Sequence, residues 1–217
     1  SVDIVQSAKL YFSSTSIRRK RVDVVEQGLE WAVEEKDDGF YNVVVPSNLT
    51  EWRTQAKLAV APKSGSGSWA KDGCAFGLFA KGTHRVLSIP ECAVHHPSIN
   101  RAVHALVEAT ARVGTSAFQQ DNRDGGLRYV QFQVERITGK VCLTLIWNSQ
   151  DLKDTQPALS RVMKELNRQE PALWHSIWCH CNDGIGNNIF SRNAKRWHRM
   201  SGPEFVREPL PVGKTAR

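Results

Sequence analysis

The sequence predicts an α+β fold, an antiparallel β-sheet with helices packed on one side. Three observations carry that reading. β-type segments outnumber helical ones, and most connections between them read as hairpins. No regular strand–helix–strand alternation runs along the chain, as a doubly wound cofactor fold would require. The 217 residues are 41% hydrophobic, enough to bury a core. No run approaches the roughly 18 apolar residues of a membrane span. The expected organisation is a helical lead-in over 1–38, a central α+β domain over 39–200 and an irregular tail over 201–217.

Taken in order, Val22, Val25, Leu29 and Val33 recur at helical spacing within 3–35, with Glu26, Glu30 and Glu34 among them. Lys36 to Gly39 break the pattern, and Phe40 to Val45 is β-rich. In Trp52 to Val60, Trp52, Thr54, Ala56, Leu58 and Val60 alternate with Arg53, Gln55 and Lys57, which predicts a strand with one wet, basic face. KSGSGS (Lys63 to Ser68) is a loop. Cys74 to Phe79, a turn at Lys81 to Thr83 and His84 to Ile89 complete a three-stranded meander.

Pro97 to Val113 predicts a helix. Proline costs nothing in a first turn, Ile99, Val103, Leu106, Val107 and Thr110 form the apolar stripe, and Gly114 closes it. Residues 115–126 read as a loop. Leu127 to Arg136 and Lys140 to Trp147 form a hairpin turned at Thr138 and Gly139. Leu159 to Arg168 predicts an amphipathic helix closed by Pro171. Trp174 to Cys181 predicts a strand, with NDGIGNN (Asn182 to Asn188) as a hairpin turn into Ile189 to Ser191. The tail from Ser201 has little periodicity.

The formal charge of +7 and a pI near 9.3 favour polyanionic partners. The basic run Arg18 to Arg21 reads as a solvated helix face. Cys74, Cys92, Cys142, Cys179 and Cys181 are odd in number and show no disulfide framework, which predicts an intracellular, reducing compartment, its organelle left open. No basic start followed by a long apolar run marks a secretory signal at the N-terminus. Cys179 and Cys181 share one face of a strand and read as ordinary strand cysteines, since zinc sites usually pair C-x2-C knuckles. Cys92 lies near His95 and His96, yet closeness in sequence is not the geometry a thiolate–imidazole pair needs. GIGNN joins strand to strand, so it is not a phosphate loop, which needs a helix N-terminus. Trp52, Trp147, Trp174, Trp178 and Trp197 read as core or partly buried residues. Phe132, with Arg128, Gln131 and Gln133 around it, shares a face with Val130 and Val134, so core packing and RNA stacking both stand.

WRTQAKLAV (Trp52 to Val60), FGLFAKGTHRVLSIPECAVHHPSIN (Phe76 to Asn100), LRYVQFQVER (Leu127 to Arg136), KVCLTLIWN (Lys140 to Asn148) and SIWCHCNDGIGNNIF (Ser176 to Phe190) together resemble the RNA uracil-C5 methyltransferase family, especially its plant and algal members. The resemblance follows the family's order and covers most of residues 40–192. It implies the family's central domain, an antiparallel sheet with helices that helps hold substrate RNA. In that family a separate C-terminal domain binds S-adenosylmethionine and carries out methyl transfer. Its FxQxN, glycine-rich, DPPR and SCNP elements have no match in these 217 residues.

Many members hold an iron–sulfur cluster on four cysteines. Cys92 matches the fourth, and the C-x5-C-x2-C that supplies the others has no match here. Cys92 is therefore expected to be an orphan ligand position, with no cluster. Phe132 matches an aromatic position that the resemblance implies is an RNA contact. Ala59 and Asn148 stand where tRNA-modifying members carry arginine and histidine. The candidate RNA-binding residues are Arg53, Gln55, Lys57, Arg128, Phe132 and Asn148, with no catalytic or cofactor-binding residue. The expected function is RNA recognition, of tRNA or rRNA, within an S-adenosylmethionine-dependent RNA uracil-C5 methyltransferase-like protein, with this chain alone inactive. The alternative is a short non-catalytic paralogue serving as a structural subunit among protein partners.

Overall fold

A computed structural model describes residues 49–63, 73–119, 123–184 and 188–208, all within the compact unit Ser47–Arg217. The lead-in helix over 3–35, the basic run Arg18 to Arg21, the strand at Phe40 to Val45, the loop residues 64–68 and the tail beyond 208 lie outside the described residues.

The strands are β1 (Gln55–Pro62), β2 (Cys74–Phe79), β3 (Val86–Ser88), β4 (Leu127–Glu135), β5 (Lys140–Trp147), β6 (Trp174–Cys181) and β7 (Trp197–Ser201). The helices are α1 (Pro97–Val113) and α2 (Leu152–Gln169). One sheet holds all seven strands in the order β3-β2-β1-β4-β5-β6-β7. The meander β1–β2–β3 and the β4–β5 hairpin form as their alternation and turns predict, with Gly139 at φ 70°. β2 needs a glycine where β3 crosses it, because a Cβ on Gly77 would stand 1.7 Å from the Leu87 carbonyl oxygen.

The expected antiparallel sheet is in fact mixed, since β5 and β6 are parallel. The chain leaves β5, crosses through α2 and re-enters at the same end of the sheet, which a hairpin cannot do. The turn expected at 182–188 does not lead into a strand at Ile189 to Ser191. The Asn182 side-chain amide donates to the carbonyls of Asn188 (2.8 Å) and Ile189 (2.9 Å). Strand pairing resumes at β7, after a single 3-10 turn over Ala194–Arg196.

α1 occupies its predicted span. His96 Nδ1 accepts from the Ser98 amide, and Gly114 ends the helix in the left-handed region at φ 65°. α2 begins seven residues before the predicted Leu159, because Asp151 caps it by accepting from the Lys153 amide at 3.3 Å. Pro157 sits early in α2 and marks no boundary.

Both helices cover one face of the sheet. Ile99, Val103 and Leu106 from α1 and Leu159, Val162 and Leu166 from α2 are fully buried with Phe76, Val130, Phe132, Val134, Leu143, Leu145 and Ile177. Each such side chain contributes about 1.5–3 kcal/mol by leaving water. Cys179 and Cys181 also point into this core. After β7 the chain turns at Gly202 (φ 78°) and is tied back to β4, where Glu135 Oε1 accepts from the Arg207 amide at 3.1 Å. Arg136 and Glu208 pair at 2.8 Å.

Candidate nucleic-acid interface

Among the described residues no helix packs on the other face of the sheet, and strand register arranges its side chains in rows. Residues directly opposite in adjacent strands point the same way. One row reads Lys57, Gln131, Thr144, Trp178, Arg199, across β1, β4, β5, β6 and β7. It spans four strand spacings, roughly 19 Å. Its ends, Lys57 and Arg199, are exposed cations, and Gln131 and Trp178 between them are half-buried. A second row reads Gln55, Gln133, Cys142, Ser176.

A third row, Ala59, Tyr129, Ile146, His180, Trp197, is covered. The connection after β6 folds back over it. Phe190 stacks on Trp197 with centroids 5.2 Å apart, Trp197 lies 4.2 Å from His180, and Lys57 Nζ stands 4.9 Å from the Phe190 ring centroid. Lys57 and β6 are three strand spacings apart, so Phe190 bridges roughly 14 Å of sheet. His180 is fully buried, and its Nε2 accepts from the Ser191 amide at 2.9 Å. Burial pulls its imidazole down to about 4, so it is neutral near pH 7.

The predicted site residues separate into three groups. Arg53, Gln55 and Lys57 are exposed, with Gln55 and Lys57 in the two open rows. Arg53 sits just before β1, bridged to His95, with its guanidinium 5.3 Å from the Trp52 ring. Trp52, expected on the apolar side, is 57% exposed, because it precedes β1 and has no strand beside it to close over the indole.

Phe132 must be corrected. It points to the helix face with Val130 and Val134 and is fully buried, so no base can stack on it. Arg128 and Asn148 hold loops. Arg128 is buried, lies 4.4 Å from the centroid of the Phe118 ring and donates to the carbonyls of Asn182 (2.7 Å) and Gly184 (2.9 Å). The Asn148 side-chain amide donates to the Gly125 carbonyl at 3.1 Å.

Cys92 is fixed through its backbone. The Asn100 side chain accepts from its amide and donates to its carbonyl, each at 3.2 Å. Burial, then the nearby Arg53 charge, lowers the His95 pKa, which leaves a neutral imidazole beside Cys92. Among the described residues no group of three or more His, Cys, Asp or Glu side chains could hold a metal ion. No chemistry is assigned to Cys92.

Trp178, expected to be core or partly buried, is half-buried in the open row, while Arg199 escaped the reading of the sequence. Trp178 sits two residues from His180 on a predicted strand, so its face was legible. Arg199 was not, because its strand was placed at Ile189 to Ser191.

No family model matches the chain. An uncharacterized RNA methyltransferase of Protochlamydia amoebophila is 37% identical over 162 residues, covering 74% of this chain and 40% of that protein. One of Geobacter sulfurreducens is 26% identical over 145 residues, covering 67% of this chain and 27% of its own length. The chain is thus similar to RNA methyltransferases over most of its own length. It spans less than half the length of those two relatives. The fold is shared with the tRNA (uracil-54, C5)-methyltransferase of Pyrococcus abyssi, solved with S-adenosyl-L-homocysteine. The TM-score is 0.52 at 20% identity, over 76% of this chain and 35% of that one.

Proposed function

We propose that this chain is the RNA-recognition part of an S-adenosylmethionine-dependent RNA uracil-C5 methyltransferase-like protein, and that these residues alone transfer no methyl group. The observation that carries the reading is the helix-free face, where polar side chains lie in register between exposed cations at Lys57 and Arg199. Such a face offers hydrogen bonds to bases and charge to phosphates, and the basic chain adds a favourable field. The relatives' names point to RNA, and tRNA or rRNA is the expected class. S-adenosylmethionine belongs to the whole protein. The five unpaired cysteines, three of them buried, support a reducing compartment inside the cell. Among the described residues no helix is long and apolar enough to cross a membrane.

A second reading, a non-catalytic paralogue within a larger complex, draws on the exposed apolar side chains Leu78, Phe79 and Leu87 of the β2–β3 hairpin. Binding to a structured tRNA and to an unrelated hairpin, across a salt series, separates the two. Selective binding that weakens with salt and on Lys57→Ala supports RNA recognition. Equal, weak binding to both leaves only general charge, and absence of binding favours the structural subunit. Methyl transfer from S-adenosylmethionine to RNA by this chain alone would refute the non-catalytic assignment.

A further inference from the structure

The stretch Ser191 to Arg199 (SRNAKRWHR) carries Arg192, Lys195, Arg196, His198 and Arg199 and no acidic residue. Arg196 is committed to the fold, pairing with Asp183 at 2.6 Å. Arg192, Lys195 and Arg199 are exposed, and among the described residues none of them is in an ion pair. Among the described residues their side chains make one long bond, Arg199 Nη1 donating to the Gly202 carbonyl at 3.4 Å.

The backbone beneath these cations is fixed. The Ser191 amide donates to His180 Nε2, the Asn193 amide to Ser191 Oγ (3.2 Å) and the Lys195 amide to Asn193 Oδ1 (3.0 Å). Trp197 Nε1 donates to the Ser191 carbonyl at 3.3 Å, and its ring packs against both Phe190 and His180. A solvated charge run needs no such scaffold. A surface that binds a polyanion gains from one, because the ordering cost is met before the ligand arrives.

Register shows where the segment leads. Arg199 closes the open row that Lys57 begins, and it lies directly opposite Trp178. We infer that the segment Ser191 to Arg199 is a phosphate grip, in which Arg192, Lys195 and Arg199 take the sugar–phosphate backbone of an unpaired RNA strand that crosses the sheet along the row from Lys57. This rests on the RNA-recognition reading above and adds the strand's path. The covered third row closes one side of that path. Gln131 and Trp178 lie along it, the indole offering a face for an unstacked base.

The test uses the whole chain, a short unstructured RNA of mixed sequence and a salt series. The triple variant Arg192→Ala, Lys195→Ala, Arg199→Ala is compared with a control of equal charge on the outer face of α2, Lys153→Ala, Arg161→Ala, Lys164→Ala, whose residues are also exposed. The grip predicts that the first triple lowers the slope of log affinity against log salt by about 2, at about 0.7 per lost single-strand phosphate contact, while the control leaves the slope as it was. Equal losses in both triples would overturn the grip and leave unlocalised charge. An unchanged slope in the first triple, with Lys57→Ala still effective, would overturn the grip alone. Failure of the unaltered chain to bind would overturn the RNA-recognition reading as well. Thermal unfolding of each variant checks that the fold is retained.

Discussion

The two faces of the sheet draw on the same strands for opposite ends. On β4, Phe132 and Gln131 are neighbours in the chain, yet one is sealed under the helices while the other lies in a row that water can reach. The helix-covered face is almost wholly apolar, and two of its thiols are held protonated. Burial pushes the Cys74 thiol up to about 12, and a hydrogen bond shared with Cys181, then burial, keeps the Cys179 thiol protonated. The open face keeps glutamines, a tryptophan and cations at its ends. One side is shaped by burial, and the other keeps polar groups and charge within reach of water. A single step in sequence moves a residue between them.

The sharpest way to break the comparison is to cut matched side chains from each face. Phe132→Ala is expected to lose about 3–5 kcal/mol in urea unfolding, the usual range for a buried phenylalanine. Gln131→Ala is expected to stay within about 0.5 kcal/mol. Comparable losses would mean that the faces are not distinct.

Gly77→Ala tests the sheet edge, where a methyl group has nowhere to go against the Leu87 carbonyl. A cost of about 1–3 kcal/mol is expected, with faster hydrogen exchange at the Ile89 amide, which donates to Phe76 across the same edge.

Acid sharpens the contrast within the helix-free face, because its covered row buries His180. His180 has a folded pKa near 4 against an ordinary 6.5, so the unfolded chain takes up the proton first. Its contribution to stability is complete above about pH 6.5 and is lost as pH falls toward 4. A melting temperature that declines across that window in the unaltered chain, and declines less steeply in His180→Asn, is the expected result.

The smallest effect on stability belongs to Lys57→Ala, within about 0.5 kcal/mol, although it should lower the salt slope for single-stranded RNA by about 0.7. A large stability loss would recast Lys57 as a structural partner of Phe190.

Much of the fold was legible because local chemistry agreed with the final structure. The span of α1 follows from Pro97, its apolar stripe and Gly114, and β5 and β6 follow from unbroken β-type runs. The parallel β5–β6 pair was hidden, since strand direction depends on where a crossover helix delivers the chain, not on residue type. β7 was missed because its register is imposed by β6, while Ile189 to Ser191 looked more strand-like. In the candidate site, alternation placed Arg53, Gln55 and Lys57 in water. Alternation also assigned Phe132 a face shared with Val130 and Val134, but only the tertiary fold shows which face the helices cover. The loop-holding bonds of Arg128 and Asn148 arise between segments far apart in sequence, beyond the reach of any local pattern.

The lone parallel pair also bears on the order of assembly. The β4–β5 hairpin closes over a tight turn at Thr138 and Gly139, a short loop with little entropy to overcome. β6 can join β5 only after the whole α2 crossover has been spanned, so its pairing waits on the helix finding the core. Shaving the buried stripe of α2, as in Val162→Ala, should therefore delay amide protection in β6 and β7 during refolding while the hairpin protects on schedule. Pulse-labelled exchange would read both clocks in one experiment, and simultaneous delay in both would show that the sheet assembles as a single unit.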